Sequence, residues 1–87
     1  MVPSGTEARM AEEFASRVLA QFTGEIAARL NRASMLATAA ESLSSQGLTD
    51  HAFETLLDIE TLMFEATALL NAASIVNRSS SEEHQMS

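Results

Sequence analysis

The sequence predicts an all-α fold, a long antiparallel helical hairpin that dimerises into a four-helix bundle. Three observations lead there. Apolar residues recur at helical spacing along two long stretches, and the segment Leu43-Ser44-Ser45-Gln46-Gly47-Leu48-Thr49-Asp50 stops one helix and starts another within a few residues. The composition agrees: 46% hydrophobic but 5% aromatic, no Trp or Tyr, one Pro, three Gly and much Ala. Eighty-seven residues make one domain at most. They sit near the small end of what buries a self-sufficient core, so oligomerisation is expected from the outset.

Residues 1–5 are expected to be a flexible lead. Ser4 followed by Glu7 has capping-box spacing, which starts helix one near residue 6 and carries it to about 46. Its apolar positions run Met10, Phe14, Val18, Phe22, Ile26, Leu30, Ala33, Leu36, Ala40 and Leu43. Their mean step of about 3.7 residues suits a straight or slightly right-handed helix more than a strict heptad. Arg9 with Glu13, Glu13 with Arg17, and Glu25 with Arg29 are i,i+4 pairs, assigned to the wet side. Gly24 interrupts the pattern and costs about 1 kcal/mol against Ala. It is compatible with a kink, a close helix crossing or a break capped by Thr23. A continuous or kinked helix is favoured because the stripe keeps its phase through Phe22 and Ile26.

At the turn, Gly47 suits the left-handed position after a helix, which places Leu48 over Leu43 as in a Schellman cap. Thr49 is read as the next N-cap, with Leu48 and Phe53 as the arms of a hydrophobic staple. So short a connection folds the helices back on each other.

Helix two is expected over about 50–77. Leu56, Ile59, Met63, Ala66, Leu70 and Ala73 step by three and four as an a/d seam. Leu62, Leu69 and Val76 flank it, and Leu57 and Phe64 widen the apolar face beyond what one neighbouring helix covers. Residues 78–87 are polar and unpatterned, and are expected to be disordered. On these bounds helix one is about 60 Å long and helix two about 42 Å. Met10, Phe14 and Val18 would then overhang, apolar and uncovered by their own chain. A homodimer interface or a client groove is expected to cover them.

Formal charge is −7, with five basic residues, all Arg. Nucleic acid is therefore a poor partner, because phosphate neutralisation needs a basic face. Residues 6–46 carry five acids against four Arg, whereas residues 49–77 carry five acids and no base. Asp50, Glu54, Asp58 and Glu65 line one side of helix two, where they repel one another by about 0.2–0.5 kcal/mol per pair. Solvated face or docking stripe for a basic partner protein, the row is the clearest electrostatic feature. Zero Cys excludes disulfides and thiolate chemistry. His51 and His84 lack further ligands at metal spacing, and no nucleophile or acid–base constellation stands out. No cofactor, no metal and no enzyme activity are expected. No apolar run approaches the roughly 20 residues of a membrane span, and no secretory leader is visible, so the expected location is the cytoplasm.

A non-enzymatic protein-binding module follows, acting as adaptor or inhibitor by occupying a partner protein's surface. Its candidate partner-binding residues are Met10, Phe14, Val18, Asp50, Glu54, Asp58 and Glu65. A secretion or assembly chaperone shielding an apolar client segment is the first alternative. An RNA-binding hairpin dimer is the second, opposed by the net charge. In general shape the chain looks like the small helical-hairpin regulators of bacteria and phages, without a motif specific enough to name a family.

Overall fold

The computed structural model describes residues 5–86, with side chains through Ser79. These residues form two helices, α1 (Gly5–Ser45) and α2 (Thr49–Met86). They pack as an antiparallel hairpin about 66 Å long and 15 × 12 Å across. The lead expected over residues 1–5 lies, apart from Gly5, outside the described residues, and so does Ser4 of the expected capping box.

The turn forms for the reason its sequence implies. Leu48 N–H donates to the Leu43 carbonyl at 2.9 Å and Gly47 N–H to the Ser44 carbonyl at 3.0 Å, the 6→1 and 5→2 bonds of a Schellman motif. Gly47 carries them at φ 81°, the left-handed region that a Cβ disfavours. The start of α2 differs from expectation. Ala52 N–H donates to the Leu48 carbonyl at 2.9 Å, so Leu48, not Thr49, is the N-cap. Phe53 thereby moves beyond the staple position and is exposed. One leucine still closes both helices, through its backbone: its N–H ends α1 and its carbonyl begins α2.

Gly24 does not break α1, which runs unbroken for 41 residues. The Thr23 hydroxyl donates to the Leu19 carbonyl of the preceding turn at 2.8 Å, an in-helix bond that leaves no side-chain cap to start a second helix. At its other end α2 overruns the expected boundary. The helix extends to Met86, where residues 78–87 were expected to be disordered. No Gly or Pro follows Asn77, and Glu82, Glu83, Gln85 and Met86 are good helix formers, so nothing in that segment stops the ladder. Two 38- and 41-residue helices then match in length, and the length asymmetry behind the expected overhang disappears.

The core between the helices follows strict seven-residue rows. In α1 these are Leu19, Ile26, Ala33, Ala40 and Ala15, Phe22, Arg29, Leu36, Leu43; in α2 they are Ala52, Ile59, Ala66, Ala73 and Thr55, Leu62, Leu69, Val76. All are buried or half-buried. The four-residue steps read from Met10 to Leu30 could not share one face, since each step of four overshoots a full turn by about 40°. On α2 the row Leu56, Met63, Leu70, expected inside the seam, lies outside it. The row Leu62, Leu69, Val76, expected at the flank, takes its place.

The best-covered side chains are Ala33, Ala40, Ala52 and Ala66, each 5–7% exposed. Among the described residues no large side chain is fully buried. Alanine at seven-residue intervals lets two helices approach closely, but a buried methyl contributes only about 0.8 kcal/mol, against about 1.5–3 for a Leu or Phe. The larger apolar residues of the seam are only half-buried, and twelve others stay exposed among the described residues.

Candidate protein-docking surfaces

On α2 the exposed apolar side chains are Phe53, Leu56, Leu57, Met63, Phe64, Leu70 and Ile75. Leu57, Phe64 and Ile75 lie opposite the α1-facing side, and Leu56, Met63 and Leu70 extend this apolar surface round one flank, with Phe53 between them. At 100° per residue, Phe64 stands about 200° from Ala66, which faces α1; Phe64 is accordingly 76% exposed. Leu57, seven residues earlier, shares its row. The charge pattern sharpens this stripe, because Glu65 is the only charged residue between Glu60 and Arg78. Thr49–Ser79 has mean hydropathy 1.3 over its most apolar stretch, which by length and composition is enough to cross a membrane. The expectation that no segment reaches that length is corrected here. Scattered Thr, Asn and Ser interrupt the apolar residues without lowering their average enough.

On α1, Met10 and Phe14 are 64% and 71% exposed, while Val18 is half-buried. Leu30 and Met35 are exposed as well. Met10 and Phe14 thus remain uncovered although α2 is long enough to reach them. Their cause is angular rather than a matter of length: both point away from the rows that face α2.

The acidic row divides. Asp50 and Glu54 are exposed near the turn, and Glu54 Oε2 lies 3.8 Å from Nδ1 of His51, also exposed. Asp58 and Glu65 border an open groove shared with Arg29 and Arg32 of α1. There Glu65 Oε1 is 3.4 Å from Nε of Arg29, whose Nη1 holds Glu25 Oε2 at 2.7 Å and donates to the Glu25 carbonyl at 3.0 Å. The Arg29 Nε is shielded from solvent and has no hydrogen-bond acceptor at good geometry, which leaves the ion pair with Glu65 as its compensation. The hydrogen bond that the guanidinium donates to the Glu25 carboxylate raises it above its ordinary pKa against an opposing desolvation, and the charges of Glu25 and Glu65 add to the rise.

Two features were misassigned from sequence. Arg29 lies at the helix–helix boundary while its i,i+4 partner Glu25 stays on the wet side as expected, and Glu65 serves the hairpin before any partner. The signal was present in the row Phe22, Arg29, Leu36, Leu43, where a base occupies an interface position and so favours one register of the antiparallel pair. Met10 and Phe14 also lie roughly 50 Å along α1 from the turn that precedes Asp50 and Glu54. The structure therefore puts Met10 and Phe14 at the opposite end of the rod from Asp50 and Glu54, with Asp58 and Glu65 between them.

This division has a measurable consequence. Glu54→Gln relieves repulsion from both Asp50 and Asp58 and should leave Tm equal or raise it by about 2–5 °C. Glu65→Gln should lower Tm, since it strips the shielded Arg29 Nε of its counter-charge. Equal shifts for both variants in a thermal melt would show that the Arg29–Glu65 pair adds nothing to the hairpin.

Hydroxyls of Thr38, Ser45, Thr55 and Ser74 each donate to the carbonyl four residues earlier on their own helix. Among the described residues no three His, Asp or Glu side chains gather closely enough to hold a metal. No protein-family profile, curated protein sequence or solved structure matches this chain.

Proposed function

We propose that this chain is a non-enzymatic protein-binding module that works as a dimer of hairpins, four helices in all, and acts as an adaptor or inhibitor by occupying a partner's surface. One observation carries the reading: the best-covered seam positions are alanines, and twelve large apolar side chains, spread over both helices and the turn, stay exposed among the described residues. Exposed apolar surface of this extent marks an interface in a water-soluble protein. The acidic end, with Asp50 and Glu54, supplies a field that favours basic partners and sets association rate more than affinity.

A cytoplasmic location belongs to the same reading. In a bilayer α2 would carry its packed neighbour with it, and α1 brings Glu25, Arg29 and Arg32 to the same depth as Glu65. Each central charge costs at least about 2.5–3.5 kcal/mol there. A secretion or assembly chaperone is a second reading, favoured by exposed Met10, Met35 and Met63, because flexible thioether side chains adapt to varied client surfaces.

The test is affinity capture on the immobilised wild-type chain, compared with Met10→Ser/Phe14→Ser and with Glu54→Gln/Asp58→Asn. A heterologous protein retained by the wild type and lost from one of the two variants supports the module and locates its docking end. A retained set unchanged by either pair of substitutions would overturn it. A client that becomes soluble only on coexpression with this chain would favour the chaperone reading.

A further inference from the structure

The outer face of α2 has an internal symmetry that selects its occupant. We infer that a second copy of this chain packs antiparallel along this face, with Phe64 on Phe64 at the twofold axis and Arg78 of each copy against Asp50 of the other. The inference rests on the dimer reading above and adds the face, direction and register to it.

Surface area calls for a large occupant. The chain exposes 6749 Å², whereas a compact monomer of 9.3 kDa exposes about 5,000 Å². The excess is about 1,800 Å² per chain. Doubled, it falls in the range of obligate homodimer interfaces, about 2,000–5,000 Å² in total.

Charge then sets the direction. The first third of α2 carries Asp50, Glu54, Asp58 and Glu60, while residues 66–77 carry no charge. A parallel pair would set each of these carboxylates beside its own copy. An antiparallel pair sets them against the neutral half.

The side-chain rows fix the register. Asp50, Leu57, Phe64, Asn71 and Arg78 occupy every seventh position of α2, and in an antiparallel pair such a row meets its own copy. Centring it on Phe64 matches Leu57 with Asn71 and brings Arg78, the one arginine of α2, to Asp50. The neighbouring row is compatible with this register: Met63 lies within about 3 Å along the axis of its own copy, and Leu56 within about 3 Å of Leu70. Because Phe64 lies on the side of α2 away from α1, the four helices stack in the order α1, α2, α2, α1. A square bundle, in which the copy sits beside the hairpin, would leave Phe64 and Leu57 in water.

The experiment combines mass, charge reversal and one distance. Light scattering at tens of micromolar should give twice the chain mass. Arg78→Asp and Asp50→Arg should each weaken self-association about threefold or more, and the double variant should recover it, with circular dichroism showing that helix content is kept. The chain has no cysteine, so Asn77→Cys accepts a single spin label. The antiparallel register separates the two labels by about 39 Å along the axis, whereas a parallel pair brings them to about 10 Å. A dimer with the short distance, or one that the double variant does not rescue, overturns this arrangement and leaves the dimer reading in place. A wild-type monomer overturns both, and a monomer that floats with lipid vesicles assigns the face to a membrane surface instead.

Discussion

Phe64→Ser is expected to turn the dimer into a monomer while leaving the hairpin folded. Each dimer loses two phenyl groups from its centre, each contributing about 1.5–3 kcal/mol when fully buried. The sum weakens association by a factor of about a hundred or more. The isolated hairpin loses little, since Phe64 is 76% exposed there and faces away from the alanine seam. Two measurements separate these effects. Light scattering should report the monomer mass, and circular dichroism at low concentration should match the wild type. Wild-type Tm should also rise with protein concentration, because a dimer is stabilised by mass action, and this dependence should vanish in the variant. Phe14→Ser, on the other helix, serves as the control and should retain the dimer. A Phe64→Ser chain with wild-type mass and a concentration-dependent Tm would show that the α2 stripe is not the self-association face.

Gly47→Val is expected to produce the largest loss of hairpin stability from a single substitution at the turn. Gly47 sits at φ 81°, and a Cβ there would meet nothing within 4 Å, so the cost is backbone strain rather than a clash. The left-handed conformation costs an ordinary residue about 1–2 kcal/mol, and β-branching adds to it. The expected fall in Tm is roughly 5–15 °C for a domain of this size. The same substitution at Gly24 should change Tm little or raise it slightly. Gly24 has ordinary helical φ, open space at its Cβ position, and a residue whose helix propensity valine exceeds by a few tenths of a kcal/mol. Thermal melts of both variants at one concentration decide the matter. Equal losses would place Gly24 at a close crossing with another copy.

Much of the local structure was legible in the sequence because it depends on neighbours within a turn or two. Gly47 stops α1 in the left-handed conformation, Leu48 follows at the next position, and the short connection forces an antiparallel hairpin. The unbroken helix through Gly24 was readable as well, since phase is preserved across it. Helix ends were less so. Thr49 was the better capping residue by type, yet Leu48 provides the capping backbone, because the Schellman bonds had already placed its carbonyl at the start of α2. The run past Asn77 was missed because polar composition was taken for disorder, although polarity alone does not break a helix.

Orientation around each helix was the part that only the tertiary structure decided. Several apolar rows on α2 were equally good partners for α1 in sequence: Leu56, Met63, Leu70 on one side and Leu62, Leu69, Val76 on the other. Burial of Ala52 and Ala66 against α1 selects the second, since small side chains allow close approach and Arg29 gains Glu65 across the boundary. Rotating α2 in that direction turns Leu57 and Phe64 outward. The sequence by itself determined two helices, their reversal at Gly47 and an excess of apolar surface, because these follow from local backbone preference and composition. Which of those apolar residues close the hairpin and which stay free was settled by packing, where an alanine seam and one half-buried arginine select the row that faces α1.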